Sequence, residues 1–171
     1  MAFKRGLAAT ALLLQCGCSG FANSGLESAL AANNSATAVL QSRCPVPIAA
    51  TPVKGTDSPR PAGLAALLGK DTGYRHVRLS CGNSVLSEAH NWYARDRLTP
   101  EMNHTLDTAD TPFGKVAAPL AFTRERLESR RGASPECPRS TILSHRALLR
   151  LPDGKPLALV VECYTRANLL N

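Results

Sequence analysis

The chain has 171 residues, which is enough for one ordinary domain but too few for two large ones. Hydrophobic residues make up 44% and charged residues 19% of the sequence, so a wholly disordered chain is excluded. The formal net charge is +7, but only 5% of the residues are aromatic, which argues against a nucleic-acid binder built on stacked aromatic side chains. We interpret the basic charge as a solvated surface and expect no nucleic acid as a partner.

The N-terminal segment, residues 1–22, has the layout of a secretory signal peptide. Lys4 and Arg5 form a basic start, and the apolar stretch that follows is too short to span a bilayer. Small residues at the end of the segment suit cleavage by an ordinary signal peptidase, whereas Cys16 or Cys18 could instead be the lipidated cysteine of a bacterial lipoprotein. The sequence thus predicts a periplasmic or secreted protein that meets a membrane only if it is lipidated.

The first part of the remaining chain predicts short helices and loops. Residues 25–42 indicate two short helices, and Ser35 is a good N-cap for the second of them. Residues 44–62 are rich in Pro, Gly, Thr and Ser, which favours a loop with a short strand at 48–53. Residues 62–69 predict another short helix.

From residue 74 the apolar residues recur with a period of two, which indicates strands. The expected hairpins are 74–81 with 85–93, and 142–151 with 157–164. Between the hairpins, residues 99–106 predict a helix, and 123–131 predict a charged helix with Arg124 and Glu128 four residues apart. Helices and strands in separate blocks predict one α+β domain over residues 23–171, with helices packed on one face of an antiparallel sheet.

Four cysteines lie in the predicted mature domain, and no C-x-x-C spacing occurs among them, so a structural zinc site is not expected. An even number in an oxidising compartment suggests two disulfides. Cys44 and Cys137 precede proline in loop-like sequence, whereas Cys81 and Cys163 lie in strand-like sequence. We therefore expect the pairs 44–137 and 81–163, which is one of three possible connectivities; free buried thiols are the alternative.

Several segments carry recognisable patterns in a fixed order. They are Asn34-Ser35-Ala36-Thr37, Arg75 to Gly82, Thr111-Pro112-Phe113-Gly114, Thr123-Arg124, and a closing hairpin with Gly154-Lys155-Pro156 and Glu162. In this order they resemble the bacterial chorismate lyase family, which shares its fold with the ligand-binding domains of some transcription regulators. The resemblance covers about residues 35–165 and implies a chorismate lyase-like fold.

The same resemblance implies a set of site residues. The family's pocket uses an arginine on the second strand, a glutamate on the last strand and apolar lid residues. Glu162 matches the catalytic glutamate, Leu127 and Ala36 match lid positions, and His90 stands where the family has its arginine. Chorismate is a dicarboxylate, which a planar guanidinium holds better than an imidazole does, so the chain departs from the family here. Arg97 and Arg95, just beyond that strand, are candidate replacements; the alternative is that both are surface charges.

The residues around Glu162 can also be considered without the resemblance. Strand alternation places Ala158, Val160, Glu162 and Tyr164 on one face. An acid in such an apolar row is expected to have a raised pKa, which suits general acid–base work. The alternative is a glutamate at the end of a strand that reaches solvent or pairs with an arginine.

The preceding hairpin strand offers further candidates for the same cavity. Glu88, His90 and Trp92 share one face, which predicts that Trp92 stacks on a ligand ring and that His90 contacts a carboxylate. Asn91 and Tyr93 lie on the other face, and a pocket lined by that face stays an open alternative.

Two functions remain open at this point. The first is an exported domain that binds a small aromatic or cyclic carboxylate in an enclosed pocket; the second is a lyase that eliminates pyruvate from chorismate to give a hydroxybenzoate. Export argues for the first, because chorismate is a cytoplasmic metabolite, and so does the replaced arginine. Neither function needs a cofactor, and the sequence shows no phosphate loop, serine nucleophile motif or metal-ligand cluster.

Overall fold

The computed structural model describes residues 19–54 and 60–169. The α-helices within these ranges are α1 (Ser19–Ala31), α2 (Ala36–Ser42), α3 (Leu64–Leu68), α4 (Pro100–Thr108) and α5 (Phe113–Val116). The strands are β1 (Ala49–Pro52), β2 (Thr72–Cys81), β3 (Ser84–Ala94), β4 (Thr123–Arg131), β5 (Leu143–Arg150) and β6 (Pro156–Tyr164). Most of the predicted signal peptide lies outside the described residues, and its last residues fall at the start of α1. Among the described helices, none has the length and apolar character needed to cross a bilayer.

The six strands form one sheet in the order β1-β2-β3-β6-β5-β4, and every neighbouring pair is antiparallel. The two predicted hairpins, β2–β3 and β5–β6, are present, and β3 and β6 join them at the centre of the sheet. The predicted α+β class, with one antiparallel sheet, is therefore confirmed.

One face of the sheet, here called the cavity face, carries Ala89, Asn91, Val160 and Glu162 on the central strands. Helices α1 and α2 pack against one half of this face, and α4 and α5 pack against the other half. Burial of apolar side chains in these two clusters is the main force that holds the helices to the sheet.

The opposite face, here called the α3 face, carries His90, Trp92 and Val161. Leu64 and Leu68 of α3 are buried against this face. The helices thus pack on the cavity face as predicted, with α3 as a small addition on the other side.

The segment 123–131 is a strand and not the charged helix that its sequence predicts. β4 pairs with β5 along its whole length, with a bulge between Arg126 and Glu128, and most of its side chains are exposed. Opposite charges four residues apart suit a helix surface, but they suit a solvated edge strand equally well. The free edge of β5 decides the outcome, because its backbone groups need hydrogen-bond partners.

All four cysteines form disulfides, but the predicted pairing is wrong. The bonds are Cys44–Cys81 and Cys137–Cys163. β1 pairs with β2 so that Ala49 lies opposite Ser80, which brings the chain just before β1 to the end of β2. Strand register therefore determines which cysteines pair. Whether a cysteine lies in loop-like or strand-like sequence does not predict its partner.

Candidate functional site

A small cavity of about 30 Å³ lies between the cavity face of the sheet and the N-terminal ends of α2 and α5. A space of this size holds about two water molecules, so a larger ligand needs the side chains that line it to move apart. The lining residues are Asn34, Ser35, Ala36, Thr37, Val77, Leu79, Ala89, Asn91, Phe113, Gly114, Phe122, Arg124, Leu149, Val160 and Glu162. Most of the lining is apolar, and a few polar groups lie within it.

The charged part of the cavity is a pair formed by Arg124 and Glu162. The two guanidinium Nη atoms of Arg124 donate to the two carboxylate oxygens of Glu162 at 3.0 and 2.5 Å. The two side chains are only 5% and 10% exposed. Tyr164 is fully buried beside them, and its hydroxyl donates to Glu162 Oε2 at 2.9 Å. The carboxylate is thus held by three charge-assisted hydrogen bonds, two of which come from a guanidinium of opposite charge.

Glu162 raises the pKa values of both Arg124 and Tyr164. Burial lowers the pKa of Arg124, but the charge and the hydrogen bonds of Glu162 outweigh it and raise that pKa overall. Burial and then the negative charge of Glu162 raise the pKa of the Tyr164 hydroxyl well above its usual value. The guanidinium therefore stays charged, and the phenol stays neutral and keeps its proton for the carboxylate.

A buried histidine lies directly across from the carboxylate. His145 on β5 is the cross-strand partner of Glu162, and its ring packs edge-on against Tyr164. Neither ring nitrogen has a hydrogen-bond partner within the described part of the chain. Burial is the main cause that lowers the pKa of His145, so the ring is held in its neutral form.

The rim of the cavity is built where α2 and α5 meet. Ser35 caps α2 by accepting a hydrogen bond from the Ala38 backbone N–H at 3.2 Å. Gly114 in α5 lies so close to α2 that a Cβ there would meet Ser35 Oγ at 3.1 Å and Thr37 Oγ1 at 3.2 Å. The missing side chain at Gly114 lets the two helices approach each other and places two hydroxyl groups in the lining.

Asn91 supplies an amide to the wall of the cavity. It is 7% exposed, and the part of the chain that the structure describes gives its side chain no hydrogen bond. The amide atoms keep some contact with the open part of the cavity, since they do not belong to the fully buried polar atoms that lack a partner. Its position in the lining makes this amide available to a bound molecule.

The structure brings only some of the predicted site residues together. Glu162 and Ala36 line the cavity, as does Asn91 from the alternative strand phase. His90 and Trp92 lie on the α3 face, because Ala89 is the residue paired with Glu162 and side chains alternate along β3. The expectation that His90 and Trp92 share a cavity with Glu162 is therefore wrong.

Two further predicted residues lie away from the cavity lining. Arg97 follows β3, and its guanidinium donates to the backbone carbonyl of Pro156. Leu127 lies at the bulge of β4 and is 49% exposed, so it covers no cavity. Arg97 and one of the two predicted lid residues are thus not in the site as the structure has it.

The residue that the sequence did not identify is Arg124. It belongs to the Thr123-Arg124 pattern, but the helix expected there would not have carried its side chain across β5 to Glu162. The possibility that Glu162 pairs with an arginine was open, and the structure shows this arrangement. Arg124 takes both oxygens of the single carboxylate among the described lining residues, so the cavity itself is not arranged for a metal ion.

No family model matches the sequence. The effector domain of PhnF from Mycobacterium smegmatis is similar at a TM-score of 0.54 and 12% identity, over 78% of this chain and 90% of that domain. The longer PhnF structure is similar at a TM-score of 0.55 and 12% identity, over 80% of this chain and 65% of that one. These likenesses confirm the chorismate lyase-like fold, which such effector domains share.

A sequence relative is found in Sinorhizobium fredii. The uncharacterized protein y4mC of this organism is 37% identical to the chain over an alignment of 176 positions, which covers 85% of this chain and 74% of the relative. The chain therefore belongs to the same protein family as y4mC.

Proposed function

We propose that this chain is an exported small-molecule binding protein whose cavity takes a small aromatic or cyclic carboxylate. The observation that carries the proposal is the buried Arg124–Glu162 pair in the cavity wall, beside the amide of Asn91. A buried cation and an unsatisfied amide at one place are the groups that recognise a carboxylate.

The two sides of the cavity suit the two parts of such a ligand. Phe113 and Phe122 lie in the lining and offer apolar surface to a ring. Glu162 uses two of the five N–H donors of the Arg124 guanidinium, so the others remain for a second acceptor. Because Glu162 already carries a negative charge, the ligand needs additional donors, which Asn91 supplies.

Two observations support a binding role in an oxidising compartment. The PhnF neighbour is an effector domain, and effector domains of this fold bind small molecules. The two disulfides suit a chain that leaves the cytoplasm, which agrees with the basic and apolar start of the sequence.

Titration calorimetry of the purified protein with benzoate, 4-hydroxybenzoate and cyclohexanecarboxylate tests this function. We expect saturable binding of these acids and no comparable binding of benzamide, which lacks the charge. Asn91→Leu removes the amide and is expected to weaken binding about 10- to 100-fold, because a hydrogen bond to a charged group contributes about 1.5–3 kcal/mol.

Asn83→Ala in the exposed β2–β3 turn is the matched control and is expected to bind like the unchanged protein. Equal affinity for benzoate and benzamide, or unchanged affinity in Asn91→Leu, would contradict the proposed recognition of a carboxylate.

The second candidate function is the chorismate lyase reaction, and the position of Glu162 in the cavity favours it. In that reaction the ring carbon–oxygen bond to the enolpyruvyl group breaks and the ring loses a proton as it becomes aromatic. The released enolpyruvate takes up a proton to form pyruvate. Glu162 carries the one carboxylate among the described lining residues, so it is the group that would accept this proton.

Pyruvate release from chorismate, followed with lactate dehydrogenase and NADH, separates the two functions. Under the binding function we expect no pyruvate above the rate of chorismate alone. Pyruvate formation that falls at least about 100-fold in Glu162→Gln would instead establish the lyase, since general acid–base groups contribute about that much or more.

A further inference from the structure

A second cluster of reactive side chains lies on the α3 face, on the far side of the sheet from the cavity. It consists of His76 on β2 with Glu88 and His90 on β3. His76 lies directly opposite His90 in the strand register, and Glu88 lies one step along the same face. The two histidines are buried and Glu88 is half-buried.

The three side chains converge on one point. One ligand atom from each residue lies within 4.8 Å of the other two. His76 Nε2 lies 2.8 Å from Glu88 Oε1, and the imidazole rings of His76 and His90 are stacked with centroids 4.0 Å apart. Three ligand atoms this close to one another can face a single ion.

The hydrogen bonds of His90 fix which of its nitrogens carries a lone pair. Its Nε2 lies 3.1 Å from the backbone carbonyl of Glu136, which only accepts, so Nε2 carries the proton. Nδ1 lies 2.9 Å from the Tyr74 hydroxyl and accepts from it. A histidine held by a carbonyl on one nitrogen, with a lone pair on the other, is oriented as metal-binding histidines are.

We propose that His76, Glu88 and His90 bind one divalent ion of the zinc type on the α3 face. Two imidazoles and one carboxylate form the ligand set of many zinc sites that leave a fourth position open. Calcium and magnesium prefer oxygen ligands and are disfavoured by the two nitrogens. This site is independent of the cavity, because it uses the other face of the sheet.

The surroundings of the cluster modulate the affinity in a predictable direction. Arg78 Nε donates to Glu88 Oε2 at 3.1 Å, and its side chain is 52% exposed. This guanidinium competes with a metal ion for the carboxylate and adds a positive charge next to it. Tyr74 is 37% exposed, and its hydroxyl lies 2.9 Å from His90 Nδ1, so an ion that binds Nδ1 would have to displace this hydroxyl.

Equilibrium dialysis of the full chain against zinc chloride after treatment with a chelator tests the site. We expect one tightly bound zinc per chain and no comparable binding of magnesium. Glu88→Gln and His76→Gln are each expected to lower the affinity at least about 10-fold, since even residues that only orient metal ligands have effects of this size. Arg78→Gln is expected to raise the affinity, which a merely structural cluster would not do.

His104→Gln on the exposed side of α4 is the matched control and keeps full binding. Near-UV circular dichroism shows whether each variant is folded. Glu88→Gln is the mildest of the substitutions, because glutamine and glutamate have nearly the same size and shape. X-ray absorption of the zinc-loaded protein is expected to show nitrogen and oxygen ligands at about 2.0–2.2 Å. The proposal is overturned if the folded protein binds no stoichiometric zinc, or if Glu88→Gln and His76→Gln bind zinc as tightly as the unchanged protein. Either result leaves the proposed carboxylate site in the cavity unaffected.

Discussion

Arg124→Gln is expected to destabilise the protein by about 3 to 5 kcal/mol, which is the usual cost of removing one partner from a buried ion pair. The Arg124 side chain is 5% exposed, and each of its two Nη atoms donates one hydrogen bond to a carboxylate oxygen of Glu162. Without it, Glu162 keeps the Tyr164 hydroxyl as a donor but has no positive charge beside it. Because small domains have a total stability of only about 5–15 kcal/mol, this loss is large. Urea unfolding followed by circular dichroism measures it.

Two companion variants show whether the effect belongs to the pair. Arg126→Gln removes an exposed guanidinium from the same strand, so we expect a change within about 0.5 kcal/mol. Adding Glu162→Gln to Arg124→Gln removes the uncompensated charge and keeps an acceptor for Tyr164, so it is expected to recover a large part of the lost stability. Similar losses for Arg124→Gln and Arg126→Gln would show that the buried pair contributes little.

Removal of the disulfides is expected to have the second large effect. The bonds Cys44–Cys81 and Cys137–Cys163 close loops with sequence separations of 37 and 26 residues. The loop-entropy relation gives about 3 to 4 kcal/mol for each loop, and the sum of the two is comparable to the stability of a whole small domain. We therefore expect that a reducing agent shifts the urea midpoint strongly, or unfolds the protein without urea.

Each bond can be tested separately. The paired variants Cys44→Ser with Cys81→Ser, and Cys137→Ser with Cys163→Ser, are each expected to lose about 3 to 4 kcal/mol. Peptide mapping without reduction is expected to yield the two linked pairs that the structure shows. Recovery of a Cys44–Cys137 peptide would contradict the register of β1 on β2.

The sequence predicted most of the elements because their signals are local. The hairpin at Gly154 and the N-cap at Ser35 each depend on a few consecutive residues, and both are present. The sequence did not predict the strand at 123–131, because apolar residues do not recur there with the period of two that marks a strand. The segment is a strand because it pairs with the edge of β5.

The candidate site was harder to predict than the elements, because it depends on which residues lie opposite each other in the sheet. Alternation placed Glu162 correctly with Val160 and Tyr164, yet nothing local shows whether Ala89 or His90 lies next to Glu162. A shift of one residue in that register exchanges the two faces of β3. Arg124 comes from two strands away, so its meeting with Glu162 also depends on the register of β5.

The two edges of the sheet bear on how the folded chain behaves at high concentration. β4 presents a row of exposed charged residues at one edge, and β1 at the other edge is four residues long and ends in Pro52. Charged side chains on an edge strand favour contact with water, and proline cannot donate a ladder hydrogen bond, so neither edge is a good template for strands of another copy. Both edges of the described sheet thus disfavour the strand addition by which cross-β fibrils grow.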